Sequence, residues 1–199
     1  MEKVIECCAN SITSALIGIK AGANRIELCA DLHKGGITPK YSDIEKLRNL
    51  TNINLHVLIL PIANKFIYSK EDLKKIIKDI EFCKKIGVEG VVVGAINNDK
   101  SIDITTTKKM VDVARPMKVT FHRAFDCVTN PKESLKQLID LGVDRILTSG
   151  LQPNAEKGIE FFGVIVIIHE VFYFVHHLVE VWDNQTEDDV SHKDDKCAH

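Results

Sequence analysis

The sequence predicts a parallel α/β barrel, and three observations carry that prediction. Short β-like runs alternate with longer helical patterns six times between Val4 and Gly150, the order that gives a parallel sheet with helices outside it. The spacing is roughly 25 to 35 residues per βα unit, as in a TIM barrel. The strands also segregate by face. Val4, Glu6 and Cys8 share one face of the first strand, and Arg25, Glu27 and Cys29 one face of the second. His56 opposes Leu55 and Val57 on the third, and Thr120 and His122 oppose Val119 and Phe121 on the fifth. The apolar sets can meet the helices and the polar sets a common interior. An open sheet covered on both sides normally shows apolar runs on both faces, so a doubly wound sheet is the second choice.

Each element has its own signal. Val4 to Cys8 reads as the first strand. Ser11 or Thr13 can cap a helix through Ala21, with Gly22 as its stop. Arg25 to Cys29 is the second strand, followed by a glycine-rich loop and a helix near Ser42 to Leu50. Ile53 to Leu60 is the third strand, ended by Pro61. Ser69 with Asp72 forms a capping box for a helix that runs to Gly87. Gly90 to Gly94 is the fourth strand, Thr105 to Ala114 a helix, and Met117 to His122 the fifth strand. Pro131 suits the first turn of a helix ending near Gly142, and Arg145 to Thr148 is the sixth strand.

Composition bounds the function. The chain has 199 residues, 45% of them hydrophobic, enough for a core, and a net charge of −2, which gives no electrostatic case for nucleic acid. Six cysteines at irregular spacing, with no secretory signal, read as a reducing compartment, so the expected location is cytoplasmic. The chain divides into a barrel domain at 1–158, an apolar segment at 159–182 and an acidic tail at 183–199, which reads as disordered. Within the apolar segment, His169-Glu170 starts a zinc-protease motif that Tyr173 breaks, since the second histidine would stand there. His169, Tyr173, His176 and Glu180 fit one helix face, and Val164 to Ile168 with Val171 to Val175 are alternatively β-forming. Glu170 and the histidines argue against a membrane span.

Several uncommon strings occur in order: Glu6-Cys7-Cys8, Gly22 to Cys29 (Gly-Ala-Asn-Arg-Ile-Glu-Leu-Cys), Gly35-Gly36-Ile37-Thr38-Pro39, Val119 to Asp126 (Val-Thr-Phe-His-Arg-Ala-Phe-Asp) and Arg145 to Gly150 (Arg-Ile-Leu-Thr-Ser-Gly). With them the chain resembles the CutC copper homeostasis proteins over about residues 3 to 158. The resemblance implies a cytoplasmic TIM barrel, a homo-oligomer and a link to copper. Two departures stand out. Where the family's third strand ends in Arg-Pro-Arg-Gly-Gly-Asp-Phe, this chain has Leu60-Pro61-Ile62-Ala63-Asn64-Lys65-Phe66, without either arginine. The likeness also stops after the sixth strand, whereas the family continues through two more βα units. The expected barrel is therefore incomplete, with about six units and a divergent C-terminal segment.

Candidate chemistry gathers at strand ends, where ligands bind in parallel α/β proteins. Cys8 and Cys29 fall near the carboxyl ends of neighbouring strands, about 4.8 Å apart in the sheet, and two such thiolates suit Cu(I), a soft ion. The bland alternative is two small buried residues. Cys7 points the other way and Cys83 lies mid-helix, so both read as structural; Cys127 follows the fifth-strand motif. Glu6 and Glu27 are carboxylates inside strands and need partners; Arg25, Arg123 and His122 are the expected ones. His122 is a candidate general base or ligand, Arg123 an anion binder and Asp126 the residue that orients either.

Three functions compete. One is copper homeostasis through Cu(I) bound by Cys8 and Cys29. The second is a small-molecule barrel enzyme that uses Glu6, Glu27, His122, Arg123 and Asp126 for acid–base chemistry on a small anionic metabolite. The third is a noncatalytic truncated isoform, which associates with other subunits or fails to fold alone.

Overall fold

The computed structural model describes residues 4–160 and 173–174. Seven strands form one parallel sheet in sequential order: β1 (Glu6–Ala9), β2 (Arg25–Leu28), β3 (Asn54–Leu58), β4 (Gly90–Val93), β5 (Lys118–Phe121), β6 (Arg145–Leu147) and β7 (Tyr173–Phe174). Helices α1 (Ile12–Lys20), α2 (Tyr41–Leu50), α3 (Lys70–Ile86), α4 (Ile104–Ala114) and α5 (Pro131–Asp140) alternate with the first six strands. The expected order holds, with boundaries moved by one or two residues at most ends. Two 3-10 turns, Leu32–Lys34 and Arg123–Cys127, extend the loops after β2 and β5. Tyr173–Phe174 pairs with β6 as a strand, so the β-forming alternative holds there and a helix face through Tyr173 does not. The rest of 161–199, with the other residues of that face and the acidic tail, lies outside the described residues.

The sheet curves. His56 on β3 and Arg145 on β6 are three strand positions apart, about 14 Å in a flat sheet, yet Arg145 Nη2 lies 3.0 Å from both ring nitrogens of His56. Only a sheet rolled toward its polar face brings them together.

Local chemistry sets the helix ends. Ser11 Oγ accepts from Ser14 N–H at 3.1 Å while Ser14 Oγ accepts from Ser11 N–H at 3.0 Å. Ser69 and Asp72 exchange the same pair of bonds at 3.1 and 2.9 Å, the predicted capping box, and Gly87 stops α3 in the left-handed conformation at φ 76°. The outward face of the sheet buries Ile26, Leu55, Val57, Val91 and Val119 against helix residues such as Ile44, Ile76 and Met110. Each such aliphatic side chain contributes about 1.5–3 kcal/mol by leaving water. Cys7 sits on this outer face against Gly18, where an added Cβ would stand 2.6 Å from its Sγ. Cys83 is fully buried within α3. Both are structural, as expected.

Asp72 also accepts from Lys65 Nζ at 2.7 Å. The lysine, with the Ser69 backbone N–H, holds the Asp72 carboxyl down at about 2 from its ordinary 3.8. A depressed carboxyl adds stability above its unfolded-state value and loses it on acidification. Stability from this group should fall as pH drops from about 3.8 to about 2. Denaturant melts across that window should show a shallower acid dependence for Lys65→Met than for the parent.

Candidate functional site

The concave face is polar at the start of the strands, and its two thiols stand nearer their carboxyl ends. Glu6 and Arg25, direct neighbours in the β1–β2 register, form an ion pair at 2.7 Å with both side chains 9% exposed. Arg145 donates to Thr120 Oγ1 at 3.2 Å and abuts His56. Burial, with Arg145 and Arg25 nearby, pushes the His56 imidazole down to about 2, so it is neutral. Arg25 Nε has no partner among the described residues.

The Glu27 carboxyl occupies the same interior. Burial, with Glu6 and Cys29 close by, holds it well above the usual carboxylate range against the pull of Arg145 and Arg25. Its described partner is the Cys8 thiol, 4.0 Å from Oε1. Of the expected carboxylate partners, Arg25 pairs with Glu6, whereas Arg123 and His122 pair with neither glutamate. They lie near a different strand end and are engaged locally.

Cys8 and Cys29 meet as strand parity requires, with their Sγ atoms 3.8 Å apart. Cys29 is 2% exposed and packs with Leu58, Leu60 and Val92, while Cys8 is half-buried at the edge of that cluster. Cys29 Sγ lies 3.6 Å from the Ala9 carbonyl. The hydrogen bond between the thiols, together with burial and Glu27, raises Cys8, and the same bond lowers Cys29. The loop from Gly35 roofs the pair: Ala30 and Ile37 bridge antiparallel, Leu60 N–H donates to Thr38 Oγ1 at 2.8 Å, and a Cβ on Gly36 would stand 2.8 Å from Leu58 and 3.8 Å from the Cys29 Cβ.

Two sulfurs suit a soft, two-coordinate monovalent ion. Among the described residues no group of three or more His, Cys, Asp or Glu is placed to hold a metal.

His122 caps the turn after β5, its Nδ1 accepting from Ala124 N–H at 3.2 Å. The proton of the neutral ring is then on Nε2, which is buried without a partner among the described residues. Burial lowers the imidazole to about 4. In this tautomer Nε2 of His122, the candidate general base or ligand of the sequence, is a hydrogen-bond donor. Its ring lies 4.9 Å from that of Phe66, and Phe66 also packs on the thiol cluster.

Asp126 does orient Arg123, accepting from Nε at 2.8 Å. It also accepts from Thr148 Oγ1 at 2.5 Å, Ser149 N–H at 3.1 Å and Leu151 N–H at 3.2 Å. Arg123 Nη2 contacts Ser149 Oγ and, at 3.3 Å, the Gln152 carbonyl. This lattice ties the turn after β5 to the loop after β6. Asp126 is the keystone of a frame.

Sequence reasoning put His56 on the polar face of its strand but named neither it nor Arg145, Phe66, Gly90 or Gly94 as a site residue. The glycines did carry a signal, since an isolated glycine in a strand marks a close approach. A Cβ on Gly90 would stand 2.4 Å from His56 Cε1, and one on Gly94 2.5 Å from His122 Cε1. Gly90→Ala and Gly94→Ala should each destabilise by about 1–3 kcal/mol through overpacking, measurable in urea melts; an unchanged midpoint would mean the rings move aside freely.

Among the described residues no helix is long and apolar enough to cross a membrane. A model of the CutC family matches residues 3–170. A CutC family protein of Parabacteroides distasonis is 42% identical over 167 residues, covering 83% of this chain and 69% of that protein. A CutC family protein of Bacteroides fragilis is 45% identical over 157 residues, covering 78% of this chain and 62% of that protein. The chain thus spans about two thirds of these relatives. The crystal structure of a candidate copper homeostasis protein CutC from Streptococcus agalactiae superimposes with a TM-score of 0.81 at 26% identity, over 86% of each chain.

Proposed function

The chain belongs to the CutC family, and from that footing we propose that it takes part in copper homeostasis in the cytoplasm, carrying Cu(I) as cargo between Cys8 and Cys29. The observation that supports this reading is the pair of thiols 3.8 Å apart at neighbouring strand ends, one buried and one half-buried. Both thiols lose their protons when the ion enters, and the half-buried Cys8 is the one nearer solvent. Anaerobic titration of the reduced protein with Ag(I), a stable stand-in for Cu(I), should show one tightly held ion per chain at this pair, unaffected by Cys7→Ser. Uptake that follows Cys7, or no uptake, defeats the reading. Size-exclusion chromatography with light scattering tests the homo-oligomer that accompanies it.

A second reading, a small-molecule enzyme, draws support from the Glu27 carboxyl, which burial holds well above the usual carboxylate range, and from His122 Nε2, which has no partner among the described residues. In it Glu27 is the acid and His122 the donor to a substrate oxygen, while Glu6, Arg123 and Asp126 hold the frame. Turnover of any compound in a metabolite screen that collapses in His122→Ala supports it; full turnover in that variant removes it.

A further inference from the structure

Resting on the soft-metal reading of the pair, we propose that Cys8 and Cys29 form a clamp that accepts an ion between its sulfurs but cannot close on itself as a disulfide. The thiols touch, which at first suggests a redox couple. Their roots say otherwise. Cys8 is in register with Glu27, and the ladder continues as Cys29 N–H donates to the Ala9 carbonyl at 2.9 Å. Cys29 therefore stands two residues beyond the direct neighbour of Cys8. With strands about 4.8 Å apart and about 3.3 Å of rise per residue, the two α-carbons lie roughly 8 Å apart. A disulfide needs α-carbons about 4.4–6.8 Å apart and β-carbons near 3.8 Å. The sulfurs approach to 3.8 Å because the side chains lean across the gap, and that reach is already spent.

Closing the remaining distance to about 2.0 Å would drag one strand along the other. The register at Ala9 and Leu28 opposes that slide, and so does the packing of Cys29 against Leu58, Leu60 and Val92 beneath Gly36. An ion asks for the opposite movement. Metal–sulfur bonds of roughly 2.3 Å let the sulfurs stand up to about 4.6 Å apart, which small side-chain rotations supply.

The redox chemistry divides at the same point. A low-molecular-weight disulfide can be attacked by the half-buried Cys8 thiolate: a new bond joins Cys8 Sγ to one sulfur, the reagent's own S–S bond breaks, and the departing thiolate takes up the proton Cys8 released. Resolution requires Cys29 Sγ to attack Cys8 Sγ and expel the second thiol. The strand offset blocks that step.

The test uses the full-length Cys7→Ser protein, folded and without metal, exposed to excess oxidised glutathione, alkylated and digested with trypsin. Cys8 falls in the peptide spanning residues 4–20 and Cys29 in that spanning 26–34. Free thiols, or a lasting glutathione adduct on Cys8, are expected, whereas the same protein in concentrated guanidinium chloride cross-links the two peptides. A cross-link of equal yield in the folded protein overturns the inference. Ag(I) titration of the untreated protein separates the two claims. Uptake together with the cross-link defeats the clamp alone, and no uptake without a cross-link defeats the metal reading alone.

Discussion

Replacing Asp126 by alanine should cost about 3–5 kcal/mol of stability, the range for removing one partner of a buried, hydrogen-bonded ion pair. The carboxylate is 9% exposed and pairs with Arg123. It also accepts from Thr148, from both the backbone and the hydroxyl of Ser149, and from Leu151. Alanine would leave the guanidinium partly uncompensated and two backbone N–H groups without an acceptor, each costing about 1–3 kcal/mol when buried. Against a total stability of about 5–15 kcal/mol, that is a large fraction. Urea denaturation should show a lower midpoint with an unchanged slope. Asp126→Asn keeps the shape and one acceptor oxygen and should lose less. A change below about 1 kcal/mol in the alanine variant would refute the structural role and return Asp126 to the candidate catalytic residues.

Cys29→Ser should lower Ag(I) affinity by at least about 100-fold, because a hard hydroxyl replaces the soft sulfur that the ion prefers. The fold should survive. Serine is close to cysteine in size, and its hydroxyl can donate to the Ala9 carbonyl that the thiol now faces at 3.6 Å. Competition titration against a chelator of known affinity measures the change, and circular dichroism checks the fold. Cys8→Ser should weaken binding as well. Unaltered uptake in Cys29→Ser would remove the pair from copper handling altogether.

What could be read from the chain alone was local. Alternation and caps located every strand from β1 to β6 and the helices between them, and strand parity placed Glu6, Cys8, Arg25, Glu27, Cys29, Thr120 and His122 on one face. The Glu6–Arg25 pair was legible because it joins adjacent strands. Encounters across the interior were not. His56 and Arg145 stand 89 residues apart, and their meeting depends on how far the sheet rolls and staggers, which no single strand encodes. For the same reason Arg123 and His122, offered with Arg25 as partners for Glu6 and Glu27, are engaged elsewhere in the structure. The role of Asp126 was hidden in a loop, since Thr148 and Ser149 carry no periodicity that announces a shared acceptor.

The sequential strand order has a consequence for how the chain reaches its native state. Hydrogen-bonded neighbours in the sheet come from segments such as Glu6 and Arg25, 19 residues apart, and Leu55 with Glu89, 34 residues apart. Each new βα unit can therefore dock on the one before it as it leaves the ribosome, at modest loop-closure entropy. Both thiols of the pair belong to the first two βα units, the part of the sheet that is synthesised first.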